Sequence, residues 1–91
     1  MSANIEQTAR KAVETLDLPQ DLFLGLPNLS LTGDRELYIM NHRGILNYEK
    51  ESVTILAKNM QIQVRGRNLV IAAYSKDEII IKGYIHSVEF N

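Results

Sequence analysis

MQIQVRGRNLVIAAY, residues 60–74, changes its pattern halfway along. Before Gly66, apolar Met60, Ile62 and Val64 alternate with Gln61, Gln63 and Arg65, so a strand here has one dry face and one wet face. After it, LVIAAY at 69–74 is apolar on both faces, as is Ile79 to Ile81, which marks strands covered twice. The first half also ends in a motif that recurs: apolar-x-apolar-x-Gly stands at Leu29 to Gly33, Ile62 to Gly66 and Ile79 to Gly83. This is how a strand running into a bend is spelled, because glycine permits positive φ and close backbone approach.

Working outward, strands are expected near 28–33, 35–41, 44–49, 52–58, 60–66, 68–74 and 78–90. The stretches between them are short and rich in turn formers: Gly33-Asp34, Asn41-His42-Arg43-Gly44, Glu49-Lys50-Glu51, Lys58-Asn59, Gly66-Arg67-Asn68 and Ser75-Lys76-Asp77. Connections of this length suit antiparallel neighbours, since parallel ones need long crossovers. In the last strand Ile79, Ile81 and Ile85 share one parity while Val88 and Phe90 take the other, so a bulge near His86-Ser87 must curl the sheet.

Upstream, residues 4–16 read as a helix with Asn4 as cap, Gln7 in capping-box spacing and a stripe of Ile5, Ala9, Ala12, Val13 and Leu16. LPQDLFLGLP at 18–27 is a Leu/Pro-rich connector too apolar for an open linker, with Leu22, Phe23 and Leu24 suited to covering the sheet or meeting a partner. The expected fold is therefore mainly β, a single domain over 1–91. It comprises an N-terminal helix (1–17), the connector (18–27) and a β module (28–91) of about seven short antiparallel strands, curled into a sandwich or partly open barrel. A β-helix-like stack is the alternative, but the glycine motif holds no constant period: Ile62 follows Leu29 by 33 residues and Ile79 follows Ile62 by 17.

Composition narrows the function classes. Ten Lys+Arg against eleven Asp+Glu leave a net charge of -1, so no global field draws the chain to nucleic acid or an anionic membrane. Cysteine is absent, which removes disulfides, thiolate catalysis and the usual structural zinc sites, and fits a reducing compartment. MSANIEQTARKAVETL shows neither a signal-peptide apolar region nor the start of a membrane span.

The chemistry-bearing residues are few. His42 and His86 are the only imidazoles and neither has a carboxylate or second histidine at metal-ligand spacing. Ser75, Asp77 and His86 could be drawn as a catalytic triple, but no nucleophile elbow surrounds them. The five glycines are isolated and form no phosphate cradle. Arg35, Arg43, Arg65, Arg67 and Lys82 flank the bends and could make a basic rim, the feature on which an alternative reading as an oligonucleotide-binding β-barrel depends. Tyr38, Tyr48, Tyr74 and Tyr84 are spread through the strands, where tyrosines cap core edges and serve interfaces. Neither an enzyme nor a cofactor is expected.

Five stretches together resemble the YabP/YqfC family of sporulation proteins. They are LDLPQD (16–21), LPNLSLTG (26–33), NHRGIL (41–46), VRGRNLVI (64–71) and EIIIKGYIHSVEF (78–90), and the resemblance runs from Leu16 to the end. It implies a non-enzymatic protein of endospore formation, located in the mother-cell cytoplasm or peripheral at the forespore membrane. The resemblance adds the membrane protein YqfD as a partner, while the doubly apolar strands at 69–74 and 79–81 and the edges of a curled sheet suit a scaffold or adaptor that works by protein contacts and self-associates as a homo-oligomer. The family supplies no catalytic residues to carry over. The surface expected to meet partners comprises Leu22, Phe23, Leu24, His42, Arg43, Arg65, Arg67, Tyr74 and Tyr84.

Overall fold

The computed structural model describes residues 25–91. These form six strands: β1 (Asn28–Thr32), β2 (Glu36–Met40), β3 (Gly44–Glu49), β4 (Ser52–Ala57), β5 (Met60–Tyr74) and β6 (Glu78–Phe90). Every pairing is antiparallel, and the order across the sheet is β1-β2-β6-β5-β4-β3. That excludes a parallel stack for the described residues, and the sheet is open, with β1 and β3 as its edges. The helix expected at 4–16 and the connector residues Leu22, Phe23 and Leu24 lie outside the described residues.

Six strands stand where about seven were expected, because residues 60–74 are one strand and not two joined by a turn. Asn68 does adopt positive φ (53°), as a turn residue would, but the chain bends there without reversing. Pairing with β6 continues through three slips. His86 is the extra residue between Arg65↔Ser87 and Gly66↔Ile85, Asn68 and Leu69 together oppose Gly83, and Ala72 is extra between Ile71↔Ile81 and Ala73↔Ile80. Each slip changes which parity faces the core. On β5 buried Ile62 and Val64 give way to buried Leu69, and on β6 buried Ile79, Ile81 and Ile85 give way to half-buried Val88, so the bulge expected near His86-Ser87 is present.

The bend needs two glycines. A Cβ on Gly66 would overlap the Tyr84 carbonyl oxygen, and one on Gly83 (φ 139°) would stand 2.6 Å from the Asn68 carbonyl oxygen. Each strand thus presses its backbone into the other where a side chain would be. The N–H groups that the slips release from the β5–β6 ladder are taken up by the two flanking hairpin turns. Gly66 and Leu69 donate to the Glu51 and Lys50 carbonyls, while Gly83 and Ile85 donate to those of Arg35 and Asp34.

Bending closes the core. β2 and β4 are three strand positions apart, about 14 Å in a flat sheet. Yet Leu37 and Ile39 of β2 and Val53 and Ile55 of β4 are fully buried in one cluster with Ile62, Val64, Leu69, Ile79 and Ile81. The sheet rolls its apolar face onto itself, and Tyr48 crosses from β3 to donate its hydroxyl to the Leu69 carbonyl at 2.8 Å. Gly66→Ala is expected to lower unfolding free energy by more than about 3 kcal/mol in urea titrations, since neighbouring backbone must move. Gly33→Ala, with positive φ (54°) but open space around it, should lose only about 1 kcal/mol.

Candidate interaction surfaces

The connection from β2 to β3 is Asn41-His42-Arg43, and each of its residues is tied to a different part of the sheet. Asn41 takes the left-handed conformation (φ 68°) that asparagine tolerates, donates its N–H to the Asp77 carbonyl at 2.7 Å and its side-chain amide to the Leu26 carbonyl at 3.1 Å. The Arg43 N–H reaches the Leu56 carbonyl at 2.7 Å. Between them His42 is 6% exposed. Its Nδ1 accepts the Gly44 N–H at 2.9 Å, which leaves Nε2 as the protonated nitrogen that donates to the Ser75 carbonyl at 2.7 Å.

His42, expected on the interaction surface, thus spends Nε2 on tying the loop to the β5–β6 turn and Nδ1 on the Gly44 N–H beside it. The Tyr74 ring lies 5.1 Å from it, tilted by 49°, and is itself 58% exposed. His86 is exposed at its bulge. The triple drawn from Ser75, Asp77 and His86 is not assembled: the Ser75 hydroxyl interacts with the backbone of Glu78, capping the turn.

The face turned away from the core carries the charges. Tyr84 pairs across the ladder with Arg67, whose guanidinium carbon lies 4.8 Å from the ring centroid, and Arg35 reaches the same ring from the β1–β2 turn at 4.2 Å. Two cations draw on the π system of one phenol ring, each such contact contributing about 0.5–1 kcal/mol at an exposed site. Around them, Lys82 lies 3.7 Å from Glu36, Arg65 3.9 Å from Glu89 and Arg35 3.6 Å from Asp34. The basic rim is thus partly gathered, by Arg35 and Arg67 about Tyr84, but it is interleaved with carboxylates. Arg43 belongs to the β2–β3 loop. On β2, desolvation, reinforced by a hydrogen bond to the Glu78 carboxylate and by its charge, raises the Tyr38 phenol above its usual range.

The apolar surface is concentrated elsewhere. Leu26, Pro27, Leu29, Met60 and Phe90 line a groove of about 410 Å³ at one end of the sheet, where the start of β1, the start of β5 and the end of β6 meet. Phe90 pairs with Ile62 yet is 59% exposed. Leu31 of β1, Leu46 of β3 and Val70 of β5 are also more than half exposed, as is Tyr74, so the 69–74 stretch expected to be covered on both faces has one face open. Reading residues singly missed this groove. Its signals were the apolar Leu26-Pro27 step before the first strand and the parity change that sets Phe90 on the apolar face, opposite Ile62, at the very end of the sheet. Among the described residues no three His, Asp or Glu side chains gather as a metal-binding group, and no helix is long and apolar enough to cross a membrane.

These features define an all-antiparallel domain, bent about paired glycines, whose loop histidine is structural and whose exposed apolar residues cluster at a groove and at strand edges. The chain belongs to the YabP family, whose pattern matches residues 26–91, a span that holds all six strands. It is 35% identical over 75 residues to the uncharacterized protein YqfC of Bacillus subtilis (strain 168), covering 82% of this chain and 81% of that one. No solved structure matches it.

The two histidines separate loop clamping from surface display. His42→Ala, which strands the Gly44 N–H and the Ser75 carbonyl, should reduce stability by about 2–4 kcal/mol in chemical denaturation. His86→Ala should remain within about 0.5 kcal/mol of the native chain.

Proposed function

We propose that this protein is a non-enzymatic scaffold or adaptor of endospore formation. It works by protein contacts in the mother cell, in the cytoplasm or at the surface of the forespore membrane, with the membrane protein YqfD as a partner. The observation that carries the reading is the apolar groove of Leu26, Pro27, Leu29, Met60 and Phe90 beside β1, which has no strand on its outer side among the described residues. Exposed apolar side chains grouped in this way are characteristic of surfaces that another protein covers. Membership of the YabP family and the similarity to YqfC supply the biological setting.

The internal polar groups support the same view. His42, Asn41 and Tyr48 spend their hydrogen bonds on backbone groups of the fold. An oligonucleotide surface draws less support, because Arg35, Arg65 and Lys82 each have a carboxylate within 4 Å.

The test is genetic and biochemical together. Deleting the gene in the spore-forming host should lower the yield of heat-resistant spores, and tagged protein from sporulating cells should retain YqfD. Paired Leu29→Ser and Phe90→Ser substitutions should weaken that retention at least tenfold while the purified variant keeps its β circular-dichroism spectrum. Normal spore yield together with no retention of YqfD would refute the proposal.

A further inference from the structure

Each edge of the sheet presents backbone N–H and C=O groups with no strand beside it among the described residues, and such rows template pairing with another chain. The two edges are built differently. β3 carries an extra residue, Leu46, between Ile45↔Ile55 and Asn47↔Thr54, and ends in Glu49, so a bulge and a charge interrupt it. β1 is NLSLT, without charge, proline or slip, paired evenly with β2 from Asn28↔Met40 to Thr32↔Glu36. Leu29 and Leu31 share a face with Ile39 and Leu37 of the core, yet Leu31 is 53% exposed.

We propose that β1 is the strand through which two copies of this chain join, antiparallel about a two-fold axis at Ser30, so that the sheet of one protomer continues into the other. The inference deepens the scaffold reading and rests on it for its biological meaning. The strand is complementary to its own reverse. An axis at Ser30 sets Asn28 opposite Thr32, Leu29 opposite Leu31 and Ser30 opposite its own copy. Every residue meets one of its own parity, so whichever alternate set points its N–H and C=O outward meets the same set coming from the partner. The four leucines fall on one face, continuous with the apolar groove beside Leu29.

Charge agrees with the pairing. The strand itself is neutral, and the charges nearest it, Asp34 and Arg35 in the turn beyond Gly33, are already paired with each other at 3.6 Å. No like charges meet along the seam. An unrelated partner strand would not require NLSLT to match its own reverse, whereas an isologous contact does.

The chain has no cysteine, so Ser30→Cys introduces a single thiol at the proposed axis. Directly opposed residues of an antiparallel pair bring their β-carbons to about 4.5–5.5 Å, close enough for oxidation to link them. The full-length native chain is expected to be dimeric by light scattering across the micromolar range. Ser30→Cys should oxidise to a covalent dimer, whereas Lys50→Cys, on the exposed β3–β4 turn, should remain single. Ser30→Lys and Ser30→Glu should each be monomeric with the native β circular-dichroism spectrum, and mixing the two should restore a dimer. A strictly monomeric native chain, or Ser30→Lys and Ser30→Glu variants that each dimerise as well as the native chain, would overturn the proposal. A monomer that still retains YqfD would defeat the β1 pairing alone, and a β1 dimer that retains none would defeat the partnership alone.

Discussion

The structure depends on a steric exchange between two glycines. Gly66 leaves room for the Tyr84 carbonyl and Gly83 for the Asn68 carbonyl, so β5 and β6 bend together at one place while their hydrogen bonding continues on either side. A Cβ at either position would hold the strands apart. Without the bend, the apolar face of a six-stranded sheet would stay flat and wet. With it, β2 and β4 bring Leu37, Ile39, Val53 and Ile55 into one closed core without a second layer among the described residues.

The same bend organises everything around it. Two hairpins, β1–β2 and β3–β4, flank the long pair on opposite sides, and each inserts its turn carbonyls where the ladder slips. The sheet order is therefore mirror-like: a hairpin and a long bent strand, β1-β2-β6, meet a long bent strand and a hairpin, β5-β4-β3. The link between the two hairpins is the Asn41 to Arg43 connection. Its clamps on Leu26, Leu56, Ser75 and Asp77 hold the halves in register.

Much of this was written locally in the chain. Alternation at Met60 to Arg65 marks the dry face, turn residues mark the hairpins, and the parity change between Ile85 and Val88 marks the bulge at His86. What local reading misjudged was Gly66-Arg67-Asn68. A glycine followed by an asparagine in positive φ looks the same whether the chain reverses or only bulges, and the difference is decided by β6 lying alongside. The role of His42 was hidden for a similar reason: its partners, Gly44 and Ser75, offer backbone groups that every residue type has. The groove was equally illegible, because Leu26, Met60 and Phe90 are brought together only by the fold.

The sheet order also carries a kinetic consequence. Four of the five strand pairings, β1 with β2, β3 with β4, β4 with β5 and β5 with β6, join neighbours in sequence and need only short loops to close. The fifth, β2 with β6, joins Met40 to Glu78 across most of the module. Closing that long loop is the entropically demanding step. The β3-to-β6 meander can therefore assemble from local hairpins, with the β1–β2 hairpin docking last, and until it docks the first half of β6 is itself an open edge.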